Sequence, residues 1–197
     1  MSACSKGIVL VTGPSGCGKS TLTQRLADVL SASNVSIVHQ DDHFNRGGPK
    51  VANLYKDAVD DRVERPDFVN FNAVIRAIEK AESVVETPCP IILVEGHMLL
   101  SSDDLVAIAD LIIFLEVKSM ETALKRRIGR QQRSDEQIFY ISRYYRRFVW
   151  PAHMTFVVPK LESLVAQRDP RLHVLRAEYS ADLLTEKALA VIGELRK

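Results

Sequence analysis

Gly13-Pro14-Ser15-Gly16-Cys17-Gly18-Lys19-Ser20 reads G-x-x-x-x-G-K-S, the spacing of a phosphate-binding loop. Just upstream, Gly7-Ile8-Val9-Leu10-Val11 is a short apolar, β-branched run, expected to form a strand. Downstream, Leu22, Leu26, Val29 and Leu30 recur at helical spacing, so a helix is expected to start near Lys19. Strand, glycine turn and helix therefore occur in the order that anion binding requires. Glycines accept positive φ and carry no Cβ, which lets backbone N–H groups curl around a phosphate. The helix N-terminus adds its partial positive charge. In such a loop Lys19 reaches the β- and γ-phosphates of ATP, and the Ser20 hydroxyl can ligate Mg²⁺. The nucleotide-binding set read here is Gly13, Pro14, Ser15, Gly16, Cys17, Gly18, Lys19, Ser20 and Thr21. A dinucleotide fingerprint is excluded, because Gly16 and Gly18 are followed by Ser20 and Thr21 with no third glycine.

The chain of 197 residues is long enough for one domain with a substantial core. Its 26% charged and 46% apolar residues are ordinary for a globular protein, and a net charge of +1 argues against a chain built to bind nucleic acid or a membrane surface. No apolar run approaches the length of a membrane span. Cys4, Cys17 and Cys89 form no disulfide or zinc pattern, which suits a reducing, cytoplasmic setting. At Cys17 the backbone N–H is the group expected to matter, not the thiol.

Further strands are expected at Val35-Ser36-Ile37-Val38-His39, Ile91-Ile92-Leu93-Val94, Leu111-Ile112-Ile113-Phe114-Leu115 and Leu172-His173-Val174-Leu175. Between them, helices are expected around Phe71, Val74, Ile75 and Ile78, after Ser101-Ser102-Asp103-Asp104, from Ser119 onward, from Asp135 to Val149, and over 181–196. Residues 43–66 read as a surface loop or small subdomain, and a new segment is expected at Trp150-Pro151. Strands alternating with helices, several apolar on both faces, imply one α/β domain with a parallel five-stranded sheet covered on both sides. Ligands in such sheets sit at the carboxyl ends of the strands. Asp41 follows the second strand and Glu95 ends the third, so both should meet the phosphate loop in one crevice.

That crevice would suit phosphoryl transfer, which needs charge compensation, a metal ion, an in-line acceptor and a group to take the acceptor's proton. Asp41 is the candidate base. Glu95, after four apolar residues, is the candidate acid near Mg²⁺. Lys125, Arg126, Arg127, Arg130 and Arg133 open a basic stretch, and Arg126, Arg130 and Arg133 are expected on one helical face by their spacing of four and three. Arg126 and Arg130 would then close over the triphosphate as part of a lid at about residues 125–150. Asp67, in Arg65-Pro66-Asp67-Phe68, can bridge two vicinal hydroxyls or simply precede a helix.

Taken together, Gly13 to Thr21, Gln40-Asp41-Asp42-His43-Phe44, Arg65-Pro66-Asp67-Phe68, Val94-Glu95-Gly96-His97-Met98-Leu99-Leu100, Arg126-Arg127 with Arg130, and Val149-Trp150-Pro151 resemble the uridine kinase-like group of P-loop nucleoside kinases. That group includes nicotinamide riboside kinases and uridine–cytidine kinases. The resemblance covers roughly residues 7–155. It implies a nucleoside-monophosphate-kinase-like fold and ATP-dependent phosphorylation of a ribonucleoside 5′-hydroxyl; the chain itself is expected to be a monomer or small homo-oligomer. It assigns Asp41 to the general-base position, Asp67 to the ribose hydroxyls, Glu95 to the vicinity of Mg²⁺, and Arg126 and Arg130 to the lid. Gln40-Asp41-Asp42 with Phe44 and Val149-Trp150-Pro151 look more like nicotinamide riboside kinases, the substrate expected first. Arg65-Pro66-Asp67 looks more like uridine–cytidine kinases. The other readings are a kinase for another small acceptor, such as gluconate or shikimate, and a nucleotide-dependent switch. No N-K-x-D guanine-reading motif supports the last.

Overall fold

The structure is a computed structural model that describes residues 7–30, 34–45, 64–84 and 90–195. Five strands form one sheet: β1 (Gly7–Thr12), β2 (Val35–His39), β3 (Ile91–Gly96), β4 (Leu111–Glu116) and β5 (Leu172–Arg176). Every pairing is parallel and the order is β2-β3-β1-β4-β5. The first strand is central, so the loop after it leaves the middle of the sheet's carboxyl edge. β2 and β3 end to one side of that loop, β4 and β5 to the other.

The helices are α1 (Lys19–Leu30), α2 (Phe71–Val84), α3 (Asp103–Ile108), α4 (Met120–Ile128), α5 (Asp135–Tyr144), α6 (Val158–Ala166) and α7 (Ala181–Glu194). Side-chain caps fix several of their starts. Ser102, Ser119, Ser134 and Ser180 each accept a hydrogen bond from a first-turn backbone N–H, and Ser134 with Gln137 closes a capping box. The strands' alternating side chains feed two cores. Leu10, Ile92, Val94 and Phe114 pack with Val74, Ile78 and Leu164 on one face. Val9, Val11, Leu93 and Ile113 pack with Leu22, Leu26, Ala188 and Ile192 on the other. Each such buried aliphatic side chain contributes ~1.5–3 kcal/mol, so the parallel sheet is held from both sides.

The chain departs from the sequence expectation at Trp150-Pro151. No new segment begins there. The helix continues from α5 through a π-helical turn at Tyr145–Val149, an α turn at Trp150–Ala152 and a second π-helical turn at His153–Val157 into α6. The residue before a proline normally avoids the helical region, and proline removes a backbone donor. Here Trp150 is helical at φ −68°, ψ −46°. The wider π-helical turns absorb the missing bond, as insertions of this kind do in long helices. One other expectation shifts. The arginine-rich helix stops at Ile128, so Arg130 and Arg133 lie beyond it. Most of the loop at 43–66 lies outside the described residues. So do Cys4, Cys89 and the last residue of the 181–196 helix.

Candidate active site

The loop after β1 carries positive φ at Gly13, Gly16 and Gly18. At Gly16 the need for glycine is steric as well: a Cβ there would come within 2.2 Å of the Ala123 carbonyl oxygen on α4. The loop is therefore seated directly on the helix that carries the arginines. Lys19 is 8% exposed, and its Nζ donates to the carbonyls of Gly13 and Pro14, each at 3.0 Å. These bonds hold the ammonium inside the loop's curl, where a bound phosphate oxygen would meet it.

A cleft of about 240 Å³ opens beside the loop. Lys19, Ser20, Asp41, Glu95 and Arg130 all line it, together with His97, Arg127 and Arg133. The strand-end rule thus brings the base candidate, the metal candidates and the loop lysine to one place. The Asp41 carboxylate is 76% exposed, and its Oδ1 lies 3.9 Å from His97 Nδ1. Behind it Gln40 is fully buried. Its Oε1 accepts from the Met98 backbone N–H at 2.9 Å and its Nε2 faces His97 Nδ1 at 3.3 Å. With the amide so oriented, the bond requires Nδ1 of His97 to be the acceptor and puts the ring proton on Nε2. That nitrogen is 3.7 Å from Glu64 Oε2, and Glu64 Oε1 accepts from the Tyr144 hydroxyl at 2.7 Å.

Glu95 pairs across the sheet with His39, whose Nδ1 lies 2.8 Å from Glu95 Oε1. The second oxygen, Oε2, is buried with no partner. Such an atom needs a water or a cation. The available donors are oxygens, from Ser20 and Glu95, which suits a hard ion that keeps several waters. Among the described residues no group of three or more His, Cys, Asp or Glu side chains could hold a metal ion by itself, so phosphate and water oxygens would have to complete the coordination sphere.

The arginines divide. Arg127 lines the cleft; its Nη1 donates to the Ser15 hydroxyl, and its guanidinium lies 5.9 Å from the centre of the Tyr145 ring. Tyr145, on the first π-helical turn, donates to the Ser15 carbonyl at 2.7 Å. Burial pushes its phenol well above the usual tyrosine range, so it stays a neutral donor. Arg133 Nη1 donates to the carbonyls of Arg127 and Ile128 at 2.5 and 2.6 Å, capping the end of α4. Arg126, by contrast, turns to the other side of the loop and donates to the Ala177 carbonyl at 2.8 Å. There it lines a second groove of about 270 Å³ with Gly16, Gly18, Thr21, Arg25 and Tyr179. Arg130 lines both. Asp67 is outside the cleft's described lining. Its carboxylate is 73% exposed, with Arg65 Nε at 3.4 Å, and its backbone carbonyl accepts from Asn45.

The sequence alone assigns no role to His39, Arg127 or Tyr145. His39 could be found only from strand register, since nothing local marks it as Glu95's partner. Arg127 differs from Arg126 by one position on α4, a rotation that depends on how that helix sits on Gly16.

Fold and cleft together define an α/β protein with a phosphate-binding loop at the carboxyl edge of a parallel sheet. No protein-family profile matches the chain. It is 28% identical over 170 residues to a uridine kinase of Chlamydia pneumoniae, covering 77% of this chain and 76% of the relative. It is 26% identical over 171 residues to a uridine kinase of Alkaliphilus metalliredigens, covering 76% and 80%. Among solved structures, a gluconokinase from Sinorhizobium meliloti aligns over 96% of this chain and 93% of its own, with a TM-score of 0.57 and 17% identity, a likeness of fold. Three quarters of the chain is thus similar in sequence to proteins named uridine kinase, as the ordered motifs imply.

Proposed function

We infer that this protein transfers the γ-phosphoryl group of ATP to the 5′-hydroxyl of a ribonucleoside, with uridine or cytidine as the acceptor class. The observation that carries the reading is the convergence of Lys19, Ser20, Asp41 and Glu95 on one cleft at the end of the parallel sheet. The acceptor class draws its support from the curated relatives named uridine kinase. Nicotinamide riboside is the second reading, favoured by Gln40-Asp41-Asp42 with Phe44 and by Val149-Trp150-Pro151.

In this reading Asp41 accepts the proton of the attacking hydroxyl, for which its exposed carboxylate beside the loop is suited. Lys19, Arg127 and Arg130 offset negative charge on the transferring phosphoryl group. Ser20 and Glu95 would hold Mg²⁺, which supplies charge neutralisation on the β- and γ-phosphates. His39 fixes one oxygen of Glu95 and leaves the other toward the ion or its water. The groove between Arg126 and Tyr179 would take the adenosine end of the nucleotide. Asp67 would bind the ribose hydroxyls from the segment that pairs with residues 43–45.

The test is ADP formation from ATP and Mg²⁺ against uridine, cytidine, nicotinamide riboside, gluconate and shikimate. Turnover with a pyrimidine nucleoside above the rest supports the reading, and no turnover with any nucleoside removes it. Asp41→Asn should lower kcat by about a hundredfold or more, the loss expected for a positioned base. Unchanged kcat would show that Asp41 is not the base.

A further inference from the structure

A third cavity, of about 470 Å³, opens behind the phosphate loop, between Pro14, the end of β4 and the helical run through His153. It shares no lining residue with the Asp41 cleft or the Tyr179 groove. Its volume falls in the range of ~300–1,000 Å³ typical of small-molecule sites.

Three features set its chemistry. Its walls are largely apolar and include the rings of Phe114 and Trp150. Its charged lining residues among those described are Glu116 and Glu162, with no lysine or arginine. The Asp41 cleft instead sets Lys19 and three arginines beside two carboxylates. The third feature is His153, 8% exposed on the second π-helical turn, with ring centres 6.2 Å from Phe114 and 5.5 Å from Trp150. Its Nδ1 is buried with no hydrogen-bond partner. An unsatisfied buried polar atom costs ~1–3 kcal/mol, and the residue that carries this one lines the cavity. Burial, with Lys19 and His97 nearby, brings His153 down to about 4, so it is neutral near pH 7 and adds no positive charge.

We propose that this cavity binds a small aromatic cation: its ring lies against Trp150 and Phe114, a polar substituent hydrogen-bonds His153 Nδ1, and its ammonium group is held by Glu116 and Glu162. Aromatic faces and carboxylates both attract an organic cation, while nucleotides are repelled. The site lies beyond the kinase reading and its occupancy can be measured without catalysis. Pro14 forms one of its walls, and the Pro14 carbonyl also accepts from Lys19 Nζ. A bound ligand would therefore press on the loop that holds the catalytic lysine.

Trp150 is the chain's one tryptophan, so its fluorescence reports the cavity directly. The wild-type protein is titrated with tyramine, whose phenol and ammonium match the two polar ends, and with 3-(4-hydroxyphenyl)propionate and 4-ethylphenol as anionic and neutral counterparts. Calorimetry is run alongside. Tyramine should bind at one site with about millimolar affinity or better, a modest demand on a ligand of this size. The anion should bind at least about tenfold more weakly. The double variant Glu116→Gln/Glu162→Gln should weaken tyramine severalfold and leave 4-ethylphenol unchanged. Saturating ATP with Mg²⁺ should not displace the probe. The proposal is overturned by absence of binding in both readouts, by equal affinity for the anion, by a double variant that binds tyramine as well as wild type, or by competition with ATP.

Discussion

Tyr145→Phe removes one oxygen atom, the donor to the Ser15 carbonyl at 2.7 Å. In a trans peptide the C=O and the next residue's N–H point in opposite directions. Holding the Ser15 carbonyl toward Tyr145 therefore turns the Gly16 N–H away from Tyr145 and fixes its direction for a phosphate that the loop would bind. Gly16 is also confined by the Ala123 carbonyl, whose oxygen lies within 2.2 Å of where a Cβ would be. Loss of one neutral hydrogen bond is worth ~0.5–1.5 kcal/mol. If that energy serves to orient the loop, KM for ATP should rise by about two- to twelvefold. The phenol touches no reacting atom, so kcat should change by less than about twofold. KM for the acceptor should not move, because Tyr145 does not line the Asp41 cleft. The assay is ADP formation over a range of ATP at saturating acceptor, with direct ATP binding by calorimetry and urea denaturation on the same samples. Reduced stability with unchanged ATP affinity would make Tyr145 a packing residue only and refute the reasoning. So would an effect confined to the acceptor KM.

Arg127→Ala should lower kcat by about a hundredfold or more, as loss of a preorganised cationic donor does. Arg126→Ala should mainly raise KM for ATP, by a few-fold; steady-state kinetics on both variants would refute the assignment if the pattern were reversed. Asp67→Ala should raise the nucleoside KM by about tenfold or more, through the loss of charge-assisted hydrogen bonds to the ribose, and leave the ATP KM unchanged; an unaffected nucleoside KM would remove Asp67 from the acceptor site. His153 gives the pH dependence of stability a sign. Its pKa is lowered in the fold to about 4 from an ordinary value of 6.5. Its contribution is thus fully present above pH ~6.5 and is lost as pH falls toward ~4, with ~3 kcal/mol at stake. Urea denaturation at pH 7 and pH 5 should show that fall, and His153→Phe should flatten the slope between them; an unchanged slope would show that His153 does not titrate as its burial requires.

The parts legible in the chain were those whose causes are local. Glycine spacing between an apolar strand and a helix marks the phosphate loop, because backbone geometry alone demands it. Asp41 and Glu95 were found by a topological rule: in a parallel sheet, strand ends converge. The illegible parts depend on rotation and register. Arg126 and Arg127 are equally basic and adjacent, yet α4's seating on Gly16 sends one to Ala177 and the other to Ser15. Trp150-Pro151 reads as a helix stop because proline usually is one, but two π-helical turns carry the chain past it. The same turns put Tyr145 against the loop and His153 beneath it. A straight α-helix over this stretch would present different side chains to the loop, since each π-helical turn inserts an extra residue and rotates the rest of the helix about its axis. The departure from regular helix is therefore the feature that joins the segment at about residues 125–150 to the loop after β1. Replacing it with regular helix should cost more at the loop than in the helix itself.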